Sequence, residues 1–159
     1  MTVEPKIALR LQFLVRVVRK ECTHLTTTDQ RLFGGLFTLE QASRLEEDLD
    51  LAERVEAFVG RFCRLQDTVG DKLLPLLLAA LGEKPSAAID NLDRAERLGL
   101  LKSADEWMTM RNLRNQMVHE YVEDPVILSS ALQTGHAFVP ALIATANNMI
   151  TEIERRGWT

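Results

Sequence analysis

Residues 103–121, SADEWMTMRNLRNQMVHEY, predict a single helix with a defined start and end. Ser103 followed three residues later by Glu106 is the pattern of an N-terminal capping box, which marks the first turn of a helix. Because the residue before a proline disfavours helical backbone, Pro125 predicts that the helix stops by Asp124.

This predicted helix has one apolar and one polar face. Its apolar residues recur at three- and four-residue steps and should face the core; they are Trp107, Met110, Leu113 and Met117. Arg111, Asn115 and His119 are spaced by four and form the polar stripe. Arg114 and His119, five residues apart, point about 140° from one another in an ideal helix. Three arrangements could bring them together: a distorted helix end, a long reach by the Arg114 side chain, or two copies of the helix meeting.

The N-terminal third predicts one helix followed by irregular structure. Residues 6–20 fit both strand alternation and a helical face, and we assign helix because no other segment offers a strand to pair with. Residues 23–38 are predicted to be a loop or loose crossing, with Gly34 and Gly35 as breakers. A long helix should then start near Leu39.

The remaining boundaries come from prolines, glycines and caps. Pro75 should kink or end the long helix, and Ser86 should cap a short helix that ends near Leu98, with Gly99 as its C′ residue. A last helix is predicted for residues 126–155, with a kink at Pro140. The fold predicted for residues 1–159 is a single all-α domain, an up-and-down bundle of four main helices plus a short one.

Composition narrows the class of protein. The chain has 159 residues, is 46% hydrophobic and 26% charged, and carries a net charge of −4, which argues against coating DNA by bulk charge. Its two cysteines, Cys22 and Cys63, form no CxxC or Cys/His pattern, so we expect no metal site and a reducing, cytoplasmic location. Arg10 and Arg16 interrupt any secretion signal, and no apolar run is long enough to span a bilayer, so we expect no membrane contact.

The residues of the polar face have ordinary explanations when taken one at a time. A histidine near a helix C-terminus often only caps the helix dipole, and arginines on a helix are usually solvated. Arg61, Arg64, Asp67 and Asp71 fall on one face of the long helix, where a solvated salt-bridge surface is the simplest interpretation. The alternative is that Arg64 and Asp67 hold Arg114 in place or line its cleft.

The complete pattern resembles the HEPN superfamily. It reads Arg114, Asn115, three further residues, His119, Glu120 and Tyr121 on the penultimate helix of a small helical chain. The longer stretches at 93–121, DRAERLGLLKSADEWMTMRNLRNQMVHEY, and at 61–75, RFCRLQDTVGDKLLP, are similar to the HepT-like bacterial branch. The resemblance extends in helix order over roughly residues 6–155.

The resemblance implies a metal-independent, cofactor-free endoribonuclease, often the toxin of a toxin–antitoxin pair whose antitoxin is an MNT-type nucleotidyltransferase. Such proteins are usually homodimers that bring two motifs into one cleft. In that branch the tyrosine two residues after the histidine, here Tyr121, can be AMPylated by the partner. A packed or substrate-stacking ring is the alternative for Tyr121.

The residue types suit RNA cleavage. The 2′-hydroxyl of RNA is the nucleophile, so the protein must supply a base, an acid and positive charge on the phosphate. Imidazole can give or take a proton near neutral pH, and guanidinium binds phosphate oxygens bidentately. We therefore predict His119 as acid or base, Arg114 as phosphate clamp, Asn115 as an orienting residue and Arg111 as a weaker RNA contact.

Two other classes of function stay open from the sequence. One is a non-catalytic HEPN module that binds nucleotides or a nucleotidyltransferase, and the other is a dimerisation scaffold with an inert motif. Leu9, Phe13 and Val17 form a second apolar stripe on the first helix. A helix that is apolar on two sides is usually buried on two sides, so this stripe is buried either within one subunit or in a homodimer.

Overall fold

The computed structural model describes residues 3–35, 37–119 and 124–158, and every regular element in these ranges is helical. The all-α class predicted from the sequence is therefore confirmed for the described residues. The elements in chain order are α1 Pro5–Phe33, α2 Leu39–Ser43, α3 Leu49–Asp67, a π-helical segment Thr68–Leu73, α4 Leu74–Ala80, α5 Ala88–Arg97, α6 Ala104–His119 and α7 Pro125–Arg155.

Helix α1 is longer than the sequence predicts. It continues through residues 23–33, for which the sequence predicts a loop, and ends at the predicted glycine pair. Leu25, Thr28 and Leu32 are buried in this extension, and α1 packs along α3. Because tertiary packing contributes more to a helix than intrinsic propensity does, the threonine-rich stretch stays helical.

The long helix predicted from Leu39 is two separate helices. Thr38 and Gln41 form a capping box for the short α2, and α3 begins after Asp48, whose carboxylate accepts a hydrogen bond from the Leu51 amide (3.1 Å). Local capping thus divides a region whose apolar periodicity looks continuous.

The helical backbone does not end at Pro75. The backbone passes from α3 into the π-helical segment and then into α4, where Pro75 occupies one of the first two positions. The Leu74 amide donates to the Val69 carbonyl, five residues back, and Pro75 has no amide hydrogen with which to continue the pattern. The π-helical segment therefore lies where a regular α-helix would meet the proline.

The boundaries of the later helices are mostly as predicted. Gly99 follows α5 with φ +77°, as a C′ glycine requires, and the Ser103 hydroxyl accepts a hydrogen bond from the Glu106 amide (3.1 Å). The Ser86 cap is wrong: the N-cap of α5 is Ala87. The Asn91 side chain instead bonds the backbone of Ser86 at both its N–H (2.9 Å) and its carbonyl (3.1 Å).

The predicted apolar stripe of α6 faces the core. Trp107, Met110 and Met117 are at most 1% exposed and Leu113 is 7% exposed. Helix α6 packs against α3, α5 and α7. The burial of this apolar face fixes the orientation of α6. The polar stripe of Arg111, Asn115 and His119 therefore lies away from the core.

Two glycines on the continuous stretch from α3 to α4 have opposite surroundings. A Cβ on Gly70 would lie 3.0 Å from Cζ2 of the buried Trp107 side chain, whereas a Cβ on Gly60 would meet nothing within 4 Å. Trp107 is 1% exposed and has no free space into which to move. Gly70 is therefore required by close packing and Gly60 is not.

We expect Gly70→Ala to lower the free energy of unfolding by about 1–2 kcal/mol. Overpacking costs roughly 1–3 kcal/mol, and the better helix propensity of alanine offsets up to about 1 kcal/mol. Gly60→Ala is the matched control and should raise stability by about 0.5–1 kcal/mol. Urea denaturation measures both, and equal effects of the two substitutions would contradict the close contact.

Helix α7 is, by length and composition, long and apolar enough to cross a membrane, with a mean hydropathy of 1.4 over its most apolar window. By this measure the expectation that no apolar run is long enough was wrong. Core helices of soluble proteins pass the same test, and twelve residues of α7 are buried, from Leu128 to Ile153. Length and composition alone are therefore weak evidence for a membrane span.

Candidate functional site

Two ion pairs fasten the polar face of α6 to the α3 stretch. Nη1 of Arg114 donates to Oδ1 of Asp67 at 2.6 Å, and Nη1 of Arg111 donates to Oδ1 of Asp71 at 3.2 Å. The residue numbers rise on α6 as they fall on the other helix, so the two run antiparallel at this contact. Both arginines therefore have fixed positions at the surface.

The Arg114 guanidinium remains accessible despite its ion pair. Its side chain is 29% exposed, and that of Asp67 is 37% exposed. A guanidinium has five N–H donors, and the carboxylate of Asp67 accepts from one of the two on Nη1. Donors are therefore left for an anionic ligand at the surface.

Asp67 and Arg64 differ in their relation to Arg114. Asp67 holds Arg114, as the second interpretation proposed. Arg64 is exposed, and among the described residues no hydrogen bond or ion pair joins it to Arg114. Arg64 therefore does not hold Arg114 through a direct contact, and the other possibility, that Arg64 lines a cleft, stays a prediction.

Asn115 and His119 are both exposed on α6. Within the described part of the chain, neither side chain makes a hydrogen bond or ion pair, and His119 does not contact Arg114. His119 is the last residue of α6, and Tyr121, the predicted modification site, lies outside the described residues. One chain therefore does not bring the predicted acid–base group and the predicted clamp together.

A polar cluster that sequence reasoning missed lies beside this face. The Thr68 hydroxyl, in the π-helical segment, donates to Oε1 of Glu21 at 3.0 Å. The other carboxylate oxygen of Glu21 is buried and has no hydrogen-bond partner among the described residues. No short motif indicated this pairing, because its members are 47 residues apart.

Burial raises the pKa of Glu21 above its ordinary value of 4.5, although the Thr68 hydrogen bond and the charges of Arg64 and Lys72 oppose the shift. A carboxyl whose pKa is raised on folding stabilises the fold at pH values below its unfolded pKa. That contribution is lost as the pH rises through the folded pKa.

We therefore expect Glu21→Gln, which keeps an acceptor for Thr68, to be more stable than the wild type at pH 7. The difference should shrink or reverse at pH 4. Chemical denaturation at the two pH values measures it. A constant difference between the two proteins would show that Glu21 is not the titrating group.

The two cysteines are ill suited to act as nucleophiles. Burial raises the pKa of the Cys22 thiol to about 11. It also raises the pKa of Cys63, where the neighbouring Arg114 guanidinium acts in the opposite direction. Neither thiol is therefore ionised to a useful extent near neutral pH.

A second histidine, His136, has partners in the structure. Nδ1 of His136 lies 2.7 Å from Oδ1 of Asp29, and its ring stacks on Phe33 with centroids 4.2 Å apart. These contacts join α7 to the last turns of α1, within residues 23–33, for which the sequence predicts a loop. We interpret His136 as a structural residue.

Across residues 3–35, 37–119 and 124–158, no group of three or more His, Cys, Asp or Glu side chains is placed to hold a metal ion.

Comparison of the chain with protein-family models, with curated proteins and with solved structures finds no match.

Proposed function

We propose that this chain is a metal-independent endoribonuclease that uses Arg114 and His119. The observation that carries the proposal is the Arg114–Asp67 ion pair, which fixes an accessible guanidinium on the same helix as an exposed histidine. The sequence resemblance to HEPN proteins supports the same assignment. In keeping with that resemblance, we propose a HEPN-like four-helix bundle as the finer description of the fold.

The proposed reaction is an internal phosphoryl transfer. The 2′-oxygen of the substrate attacks the adjacent phosphorus and loses its proton to a base, and the bond from phosphorus to the 5′-oxygen breaks. An acid protonates the departing 5′-oxygen, which leaves a 2′,3′-cyclic phosphate and a 5′-hydroxyl. Arg114 would bind the phosphate oxygens, and His119 would transfer the protons.

The proposed active form is a homodimer. Arg114 is held toward α3, while His119 is five residues further along α6 and points about 140° away in a regular helix. A second copy of α6 supplies the missing group without distorting either helix. Leu9 is 66% exposed and Phe13 is 43% exposed, so part of the second apolar stripe of α1 is open for contact between copies.

The cellular role that we propose is that of a cytoplasmic toxin neutralised by an MNT-type nucleotidyltransferase. This proposal rests on the resemblance, as does AMPylation of Tyr121. Added nucleotide would bring negative charge to a position two residues after His119 in the sequence, and that charge would repel RNA phosphate. Mass spectrometry of the protein co-expressed with such a partner would detect the modification.

Incubation of the purified protein with single-stranded RNA in EDTA tests the proposed activity directly. We expect cleavage that leaves a 2′,3′-cyclic or 3′-phosphate, and growth arrest when the protein is induced in bacteria. Cleavage that depends on added Mg²⁺ would overturn the mechanism.

Asp67 is proposed as a positioning residue for Arg114. We expect Asp67→Asn, which loses the charge but keeps the shape, to lower kcat for cleavage by roughly tenfold, about 1.4 kcal/mol. Since the pair is about one third exposed, the free energy of unfolding should change by less than about 1 kcal/mol. Asp67→Glu should restore part of kcat, and a loss of stability without a loss of kcat would show a purely structural role.

The same ion pairs favour a second candidate, a non-catalytic module. Asp67 and Asp71 each neutralise an arginine of the motif, as expected of a structural surface that holds α6 in place. Such a module would bind a nucleotide or a nucleotidyltransferase without cutting RNA. Harmless expression of the wild type, together with retained partner binding by His119→Ala, would favour this candidate.

A further inference from the structure

An arginine-lined cavity lies between α1 and α3, on the α1 side of the proposed site. It has a volume of about 300 Å³, and three of its lining residues are Arg31, Arg54 and Arg61. Thr28 also lines it, together with Asp50 and Glu53. The five charged side chains sum to +1 on a chain whose net charge is −4.

Arg61 is anchored by hydrogen bonds, whereas no described residue forms a hydrogen bond or ion pair with the side chain of Arg31 or Arg54. Nη1 of Arg61 donates to the backbone carbonyl of His24 (3.1 Å) and to the hydroxyl of Thr28, which is 5% exposed. Arg31 and Arg54 are exposed and, among the residues the structure describes, form no ion pair. Asp50 and Glu53 therefore share the cavity with these arginines without neutralising them through a direct contact.

Helix α3 carries both the cavity residue Arg61 and Asp67 of the proposed catalytic face. Arg64, which lies between Arg61 and Asp67 along α3, is exposed. From Arg61 to Asp67 the helix rises about 9 Å, and from Arg54 to Asp67 about 20 Å. At roughly 3.4 Å per nucleotide of a stacked strand, these distances span about three to six nucleotides.

We propose that this cavity binds backbone phosphates of a single-stranded RNA several nucleotides from the bond that is cut. The inference rests on the proposed function and extends it, because it makes a single strand longer than a few nucleotides the preferred substrate. Arg61 would be the fixed contact, since its anchoring bonds leave other N–H donors for phosphate. The exposed side chains of Arg31 and Arg54 would bind neighbouring phosphates of the same strand.

The test measures binding without cleavage. Fluorescently labelled 2′-deoxy oligonucleotides of about 3 and about 12 nucleotides lack the attacking hydroxyl, so fluorescence anisotropy reports affinity alone. We expect the wild type to prefer the 12-mer. The double variant Arg31→Gln/Arg54→Gln should bind the 12-mer about tenfold more weakly and bind the 3-mer unchanged. Its salt dependence, log K against log salt, should be shallower by about 1.4, or about 0.7 for each lost contact with single-stranded nucleic acid.

Two further variants separate this site from general electrostatics. Arg97→Gln removes an exposed arginine of α5, which packs against α4, α6 and the π-helical segment, and should leave both affinities unchanged. Glu53→Gln removes a negative charge from the cavity and should tighten 12-mer binding about twofold or more.

The possible outcomes distinguish this inference from the cleavage proposal. Equal 12-mer affinities for the wild type, the double variant and Arg97→Gln would overturn the second site, whether or not the protein cuts RNA. Arginine-dependent binding without cleavage of the matching ribo-oligonucleotide would support the strand site and overturn the ribonuclease. Absence of any binding by the wild type would overturn the strand site, and cleavage of the matching ribo-oligonucleotide would then decide the ribonuclease separately.

Discussion

Replacing His119 with alanine is expected to slow RNA cleavage by roughly 10²- to 10⁴-fold, the usual contribution of a positioned acid or base. The residue is exposed and has no hydrogen-bond partner in the described part of the chain. Its removal should therefore leave the free energy of unfolding within about 0.5 kcal/mol of the wild type. The measurement is the single-turnover rate on a labelled RNA, beside a denaturation curve.

Gln116→Ala is the matched control for this substitution. Gln116 is also exposed on α6 but lines a cavity on the α7 side, together with Ser130 and Thr134. Its removal should leave the rate unchanged. If His119→Ala cleaves RNA as fast as Gln116→Ala does, histidine is not the proton-transfer group and the proposed mechanism fails.

Arg114 permits a finer distinction, between its charge and its shape. Arg114→Lys keeps the positive charge and a partner for Asp67 but cannot bind two phosphate oxygens side by side. We expect this variant to lose most of the activity, and a mixture of Arg114→Lys with His119→Ala to recover part of it. Recovery on mixing would require groups from two subunits in one site, and its absence would count against the shared cleft.

The largest effect on stability is expected for Trp107→Ala, which should lower the free energy of unfolding by about 3–5 kcal/mol. Trp107 is among the largest fully buried side chains and is 1% exposed. Because its indole packs against Gly70, the substitution removes apolar burial and leaves a cavity between α6 and the π-helical segment. Thermal or urea denaturation measures the loss.

Val118→Ala is the control for Trp107→Ala, since Val118 lies on the same helix and is 48% exposed. It should change stability by less than about 0.5 kcal/mol. The double variant Trp107→Ala/Gly70→Ala tests the contact itself. Once the indole is gone, Gly70→Ala should no longer destabilise, and an additive result would show that the two residues are not coupled.

The sequence by itself determined the two faces of α6 and most of its boundaries. Trp107, Met110, Leu113 and Met117 are buried as their spacing predicts, and Ser103 caps the first turn. These features are local, because helical periodicity and N-caps depend on residues three or four positions apart. The choice of Arg114 and His119 as candidates rests instead on the resemblance of their motif to the HEPN superfamily.

The tertiary structure alone decided the length of α1 and the role of Asp67. Residues 23–33 are helical because Leu25, Thr28 and Leu32 pack into the core, which no local propensity reveals. Asp67 and Arg64 are only three residues apart, and their spacing did not show which of them would reach Arg114.

That choice depends on the antiparallel packing of α6 and on its register along α3 and the π-helical segment, which place Asp67 within 2.6 Å of the guanidinium. The same packing of distant helices brings Glu21 to Thr68 and creates the arginine-lined cavity. Such contacts join residues that are tens of positions apart. They are fixed by how the helices bury their apolar faces against each other, and not by any pattern within one helix.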